Sequence, residues 1–254
     1  MHSAATIKAE PLDHRGYAGQ RSYVNALTRK VVNMQTVAIV SQKGGAGKTT
    51  LALHLGVAAN AAGFVSLIVD TDPQATASKW ATWRGGGDPE VIDCAAHALL
   101  PRKLQQAAGL GAQFAVIDTP PHADIMAREA CRAADLLLVP CRPRAFDLDA
   151  IQTTAELVKA SNKPAFVVFM AGPPRAPVLY ADAGQLVQQF GLRIAPVILP
   201  DRAAFHHSTE RGKTAAEIEP GGRAAEEIAA LWLWLRQHVN LSKGKRTNAR
   251  RKTA

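Results

Sequence analysis

The chain has 254 residues, 47% of them hydrophobic, with 30 Lys and Arg against 21 Asp and Glu for a formal charge of +9. That length supports one large domain with a buried core, and no apolar run approaches the roughly 20 residues a spanning helix needs, so a membrane-spanning role is not expected. The charge is unevenly placed: residues 1–33 hold five basic and two acidic side chains and 241–254 hold six basic and none acidic, leaving 19 of each sign in 34–240.

A neutral body with basic ends points to a polyanionic partner for the ends rather than an acidic substrate for the core, the alternative being a solvated, disordered end. Residues 1–33 read as a disordered extension or a start codon assigned too early, and they lack the apolar stretch of a secretory signal, which implies a cytoplasmic protein. Cys94, Cys131 and Cys141 form no C-x-x-C and no histidine pairing, so buried, inert thiols are expected.

From Gln35 onward, short apolar runs alternate with stretches of helical period. TVAIVS (36–41), VSLIVD (65–70), FAVIDTP (114–120), DLLLVP (135–140), AFVVFM (165–170) and APVILP (195–200) predict strands. Their continuous apolar character is that of strands covered on both faces. Helices are predicted near 48–62, 74–84, 101–109, 123–133, 148–161, 179–190 and 223–240. The alternation gives an α/β fold: a doubly wound, mainly parallel sheet flanked by helices, with ligands at the carboxyl ends of the strands. The body is 34–240 and the basic tail 241–254.

The motifs fall at those strand ends. Gly44, Gly45, Ala46, Gly47, Lys48, Thr49 and Thr50 follow the first strand and open a helix, the context of a phosphate-binding loop. Its backbone N–H groups can face phosphate oxygens, Lys48 can supply charge to the β- and γ-phosphates, and Thr49 a hydroxyl for magnesium. Asp118 ends FAVID at a strand tip, where a carboxylate can support the metal from its other side. VDTDPQ (69–74) places Asp70 and Asp72 at i, i+2 on one face of an extended chain, suiting one near the metal's waters and one near an attacking water. ATP and Mg²⁺ are the expected ligands.

With K-G-G-x-G-K-T-T, D-x-D-P-Q and D-T-P-P in order, residues 34–240 resemble the ParA/MinD group of deviant Walker-type P-loop ATPases, most of all the short ParA partition proteins. The resemblance implies that Lys43 reaches across a dimer interface to the partner's nucleotide, that Asp72 orients the hydrolytic water, and that Asp70 and Asp118 support magnesium through water. It also implies that LPDRAAF (199–205) lines the adenine, with Pro200 and Arg202 at the base. PCRPRAFDLDA (140–150) resembles the family's segment near the dimer face, with Arg142 and Arg144 in place of smaller or polar residues. The implied function is DNA partition by a slow, partner-stimulated, nucleoid-associated ATPase. It would form a homodimer with ATP, hold nonspecific DNA, and answer to a centromere-binding ParB-like protein.

Two alternatives share this site: a MinD-like positioning ATPase, and a nucleotide-gated scaffold for a membrane or conjugative machine. The first needs an amphipathic C-terminal helix free to lie on lipid. Ile228, Leu231, Trp232 and Leu235 recur at helical spacing, a stripe more often used for core packing, and the segment after them is basic without apolar insertions. An iron–sulfur cluster of the nitrogenase iron-protein kind is not expected, because Cys94 lacks glycine-rich surroundings and Cys131 falls within a helix.

Overall fold

The computed structural model describes residues 34–122 and 124–241. The extension at 1–33 and the tail cations from Lys243 to Lys252 lie outside them. Seven strands, β1 (Gln35–Ile39), β2 (Ser66–Asp70), β3 (Glu90–Asp93), β4 (Phe114–Asp118), β5 (Leu136–Cys141), β6 (Ala165–Phe169) and β7 (Arg193–Ile194), form one sheet. Their order is β3-β2-β4-β1-β5-β6-β7 and each neighbouring pair is parallel. The helices are α1 (Lys48–Ala61), α2 (Thr76–Arg84), α3 (Leu100–Gly109), α4 (Asp124–Ala133), α5 (Ala145–Asp149), α6 (Ile151–Ser161), α7 (Pro177–Gln189), α8 (Ala203–Thr209), α9 (Ala215–Ile218) and α10 (Arg223–His238).

The period of two along each strand feeds two cores. Val37 and Ile39 of β1 join Leu51 and Leu55 of α1 and Leu231, Trp232 and Leu235 of α10 on one face. Ala38, with Val40 just past the strand, joins Met126 and Ala130 of α4 and Ile151 and Val158 of α6 on the other. The central strands β2, β4, β5 and β6 are buried at every residue, so the continuous apolar runs reflect cover on both faces. Trp232 anchors α10, with its ring edge-to-face on Phe64 and Phe114 at 5.8 and 5.0 Å. The apolar stripe of the last helix is therefore core: Ile228, Leu231, Trp232 and Leu235 are all buried.

Several elements differ from expectation. β3 (EVID, 90–93) is a partly exposed edge strand against β2, and its short, charged run carries no continuous apolar signal. The expected strand at 195–200 is reduced to β7 at Arg193–Ile194 and one bridge from Met170 to Leu199. Pro196 and Pro200 lack the N–H that a ladder needs, so pairing with β6 continues only through Ala195 N to Val167 O and Leu199 N to Phe169 O. The helix expected at 148–161 is divided at Ala150 into α5 and α6, and two short helices, α8 and α9, lie where no element is predicted.

His54 ties α1 to α9. It is buried, its Nδ1 lies 2.8 Å from Thr50 O, and its Nε2 accepts the Ala215 N–H at 3.1 Å. Because Nε2 must accept, the ring is neutral with its proton on Nδ1. Burial lowers its pKa from 6.5 to about 4, against the opposing pull of the Thr50 carbonyl and the Glu217 charge. A depressed histidine pKa means that protonation favours the unfolded chain. The stability this residue contributes is present above pH 6.5 and is lost as pH falls toward 4, at about 1.4 kcal/mol per pH unit for one proton. Urea unfolding of wild type and His54→Gln across that window should show the extra slope in wild type only; equal slopes would overturn the assignment.

Candidate functional site

β1, β4 and β5 end side by side, and the chain leaves β1 toward β2 on one side while β5 continues the sheet on the other. This is the switch point at which doubly wound sheets hold their ligands. The loop from Ser41 to Gly47 runs directly into α1, whose N-terminus has no side-chain cap. Its first N–H groups are thus left for an anion. Gly47 sits at φ 97°, and a methyl group on it would stand 3.1 Å from the Met170 side chain, so both conformation and space require glycine.

Lys48 and Lys43 are treated differently by the same loop. Lys48 is buried, and its Nζ donates to Ser41 O and Lys43 O, both at 3.0 Å. Burial lowers its pKa, while Asp118 and Asp72 pull it back up. The ammonium is thereby held at the loop's centre, a point charge waiting for an anion. Lys43 is half-buried, and its side chain makes no hydrogen bond or ion pair among the described residues.

The acidic side is built by β2 and β4. The Thr71 hydroxyl donates to Asp118 O and the Thr119 hydroxyl to Ile39 O, both at 2.7 Å, which locks the tips of β2, β4 and β1 together. Asp70 is buried and fully engaged: Oδ2 accepts from Ser78 N and Oγ at 2.8 and 2.9 Å, and Oδ1 from Asp72 N at 3.2 Å. It caps the first turn of α2 and shapes the turn that presents Asp72. Asp72 accepts the Gln74 N–H on Oδ1 at 2.9 Å, leaving Oδ2 without a partner among the described residues. Asp118 is the exception, because both its carboxylate oxygens are buried with no hydrogen-bond partner of ordinary geometry. Burial raises its pKa to about 7; the nearby Thr49 hydroxyl and the Lys48 charge oppose that rise, and Asp70 and Asp72 reinforce it.

A cavity of about 310 Å³ opens over the loop and is lined by Gly45 to Thr50, Asp72, Pro121, Arg142 and Met170, then by Leu199, Pro200, Asp201, Phe205 and His206. Of the residues expected at the site, the lining brings together Gly45 to Thr50, Asp72 and Pro200; Lys43, Gly44, Asp70 and Asp118 lie outside it. The structure places Arg202 outside this lining, where the guanidinium grips Glu227 of α10 at 2.5 to 3.1 Å. Asp201 and Phe205 of the same LPDRAAF segment line the cavity instead, with His206 directly after it. Met170 and Arg142 were missed as lining residues, although both directly follow strands whose carboxyl ends were expected to bear ligands. Cys94, Cys131 and Cys141 are free and buried, with the thiols of Cys131 and Cys141 pushed up to about 12 by burial. Among the described residues no helix is long and apolar enough to cross a membrane.

Comparison with known proteins agrees with this geometry. Residues 37–215 match the CobQ/CobB/MinD/ParA nucleotide binding domain. Over 210 residues the chain is 33% identical to the maintenance of carboxysome distribution protein A of Gloeobacter kilaueensis, covering 78% of this chain and 95% of that protein. It is 29% identical over 207 residues to Protein ParA of Rhizobium radiobacter, covering 73% and 92%. The septum site-determining protein MinD of Pyrococcus horikoshii, solved with Mg-ADP, shares the fold at a TM-score of 0.62 and 18% identity, covering 78% of this chain and 94% of that one. With its phosphate loop at the end of β1 and its carboxylates at the ends of β2 and β4, the chain belongs to the CobQ/CobB/MinD/ParA family of nucleotide-binding domains and is of the ParA/MinD ATPase type.

Proposed function

We propose that this chain is an ATP-dependent, dimerising ATPase that acts in DNA partition through ATP-gated, nonspecific DNA binding. The observation that carries this reading is the division of labour between two lysines of one loop. Lys48 is turned inward on the loop's own carbonyls, whereas Lys43 is half-buried, lies outside the cavity lining, and keeps an ammonium unpaired among the described residues. A cation that its own subunit does not use is suited to a second subunit's phosphates. Supplying it only on dimerisation ties assembly to ATP and adds charge stabilisation in the transition state, as an arginine finger does.

The residues also fit magnesium. Thr49, in the first turn of α1, neighbours Asp118, whose two buried carboxylate oxygens have no hydrogen bond of ordinary geometry among the described residues. Thr49 would bind the ion directly and Asp118 through the ion's waters, and the ion supplies charge neutralisation at the β- and γ-phosphates. Asp70 supports this arrangement by holding the turn after β2. Asp72, on the cavity wall with Oδ2 unpartnered among the described residues, aligns the attacking water. Gly44 to Thr50 cradle the phosphates and Pro200 lies against the base.

In the dimer, the tail cations Lys243, Lys245, Arg246, Arg250, Arg251 and Lys252 double in number and bind DNA phosphates by counterion release without reading bases. Hydrolysis, stimulated by a ParB-like partner, releases the DNA. The 33% identical carboxysome distribution protein supports a second reading, in which the same cycle positions a protein assembly rather than DNA. Stimulation of ATP turnover by a DNA-bound centromere-binding protein selects the first; stimulation by a protein-assembly adaptor selects the second.

Three outcomes test the site. Asp118→Asn should weaken magnesium-dependent nucleotide binding about 10- to 100-fold, the scale of a residue that orients a metal's ligands, while leaving metal-free binding intact. Calorimetry with and without Mg²⁺ measures it, and an unchanged magnesium effect refutes the role. Lys43→Ala should bind nucleotide as a monomer yet fail to dimerise with a non-hydrolysable ATP analogue; light scattering that finds a stable dimer would mean the lysine serves its own subunit. Asp72→Ala should dimerise with ATP and turn over on the order of a hundredfold more slowly. In that state it should hold unrelated duplexes equally well, with affinity falling as salt rises. Wild-type turnover, or no binding to DNA in the presence of ATP, contradicts the mechanism.

A further inference from the structure

Arg142 directly follows β5, on the side of the phosphate loop opposite the carboxylates of β2 and β4. It lines the same cavity as Gly45 to Thr50. Its guanidinium reaches the loop itself: a methyl group on Gly45 would lie 3.8 Å from Arg142 Nη2. The Nε–H is buried and has no hydrogen-bond partner, and no carboxylate pairs with this arginine among the described residues. An unpaired guanidinium N–H inside a protein is costly and rare.

The backbone that carries Arg142 is fixed. Its carbonyl accepts from the Arg144 N–H at 2.8 Å and from the Cys141 thiol at 3.3 Å, and the following Pro143 is buried. A tight turn thus holds an unsatisfied cation beside the uncapped N-terminus of α1 and its loop. The cavity lining thereby carries Arg142 from the β5 side, Asp72 from the β2 side, and Lys48 from the loop.

The geometry points to Arg142 as a phosphate-binding residue acting in cis, a second fixed cation that grips the nucleotide's phosphate chain in the subunit that carries it, before any partner arrives. This rests on the chain being an ATP-binding protein as proposed above. It assigns the two unpaired cations of the site to different subunits' nucleotides: Arg142 to its own, Lys43 to the partner's. A planar fork with several donors suits a phosphate chain, which presents oxygens in pairs.

The test is nucleotide binding to the full chain at concentrations where it is monomeric, by calorimetry with ADP, a non-hydrolysable ATP analogue and adenosine. Arg142→Met keeps the stem and removes the charge, and Arg142→Lys keeps a charge but not the fork. Arg142→Met should lose about 10- to 100-fold in affinity for ADP and the ATP analogue while adenosine binding is unchanged, and Arg142→Lys should recover part of the loss. Equal nucleotide affinity of wild type and both variants would overturn the inference, as would parallel losses for adenosine, which would mark a purely structural role. A loss confined to the ATP-dependent dimer would overturn it too, by moving Arg142 to the partner's site. If wild type itself binds no nucleotide, the ATPase reading fails first, and that result is distinct from any difference between variants.

Discussion

A buried carboxylate without a partner lies at the centre of this molecule, and much of the surrounding structure serves to keep it in place. Asp118 ends the strand between β1 and β2, beside Lys48 and Thr49, with both oxygens out of water and no hydrogen bond of ordinary geometry to them among the described residues. Leaving a charge in that condition is unfavourable, and the rise of its pKa to about 7 records the cost. The folded chain tolerates it because the sheet on either side is rigid and apolar enough to offset one unfavourable group. A ligand that brings a cation removes the penalty, so the site is poised to bind rather than closed on itself.

The same logic governs the two sides of the cavity. Several polar groups are satisfied by the rest of the chain: Asp70 by Ser78 and the Asp72 amide, Arg202 by Glu227, His54 by Thr50 and Ala215. Groups around the phosphate loop are not. Among the described residues, Asp118 has no hydrogen bond of ordinary geometry, the Nε of Arg142 and the Lys43 ammonium have no partner, and Lys48 is held by backbone carbonyls that a phosphate can replace. The unsatisfied set thus gathers at the loop and at the carboxyl ends of β4 and β5. Trp232 shows that the rule is not absolute, because its buried indole N–H also lacks a partner although it lies in the core.

Rigidity comes from the layers. The apolar stripe of α10 is committed to the sheet through Trp232, Leu231 and Leu235, so the last helix is a wall of the core. The His54 link carries that rigidity from α1, which presents Lys48 and Thr49, to α9. Phe205 packs edge-to-face on the same histidine at 5.1 Å while lining the cavity. Phosphate loop and base-side wall thus share one buried imidazole. The tips of β1, β2 and β4 are tied in turn by two buried threonine hydroxyls, which hold the three carboxylates in register with the loop.

What the sequence determined by itself was local and periodic. Continuous apolar runs in β1, β2, β4, β5 and β6 follow from burial on both faces, and the glycine-rich loop follows from a backbone that must approach phosphate closely, so both can be read without neighbours. Asp70, Asp72 and Asp118 could be placed at strand ends for the same reason. Their separate roles could not, because only packing shows that Ser78 occupies Asp70 while Asp118 is left bare. The same holds for Arg202 and Arg142: each is an arginine near a proline after an apolar run, yet Glu227, 25 residues along the chain, takes the first and nothing takes the second. Sequence spacing fixes which side chains a strand or loop offers, and tertiary structure decides which of them another part of the chain will satisfy.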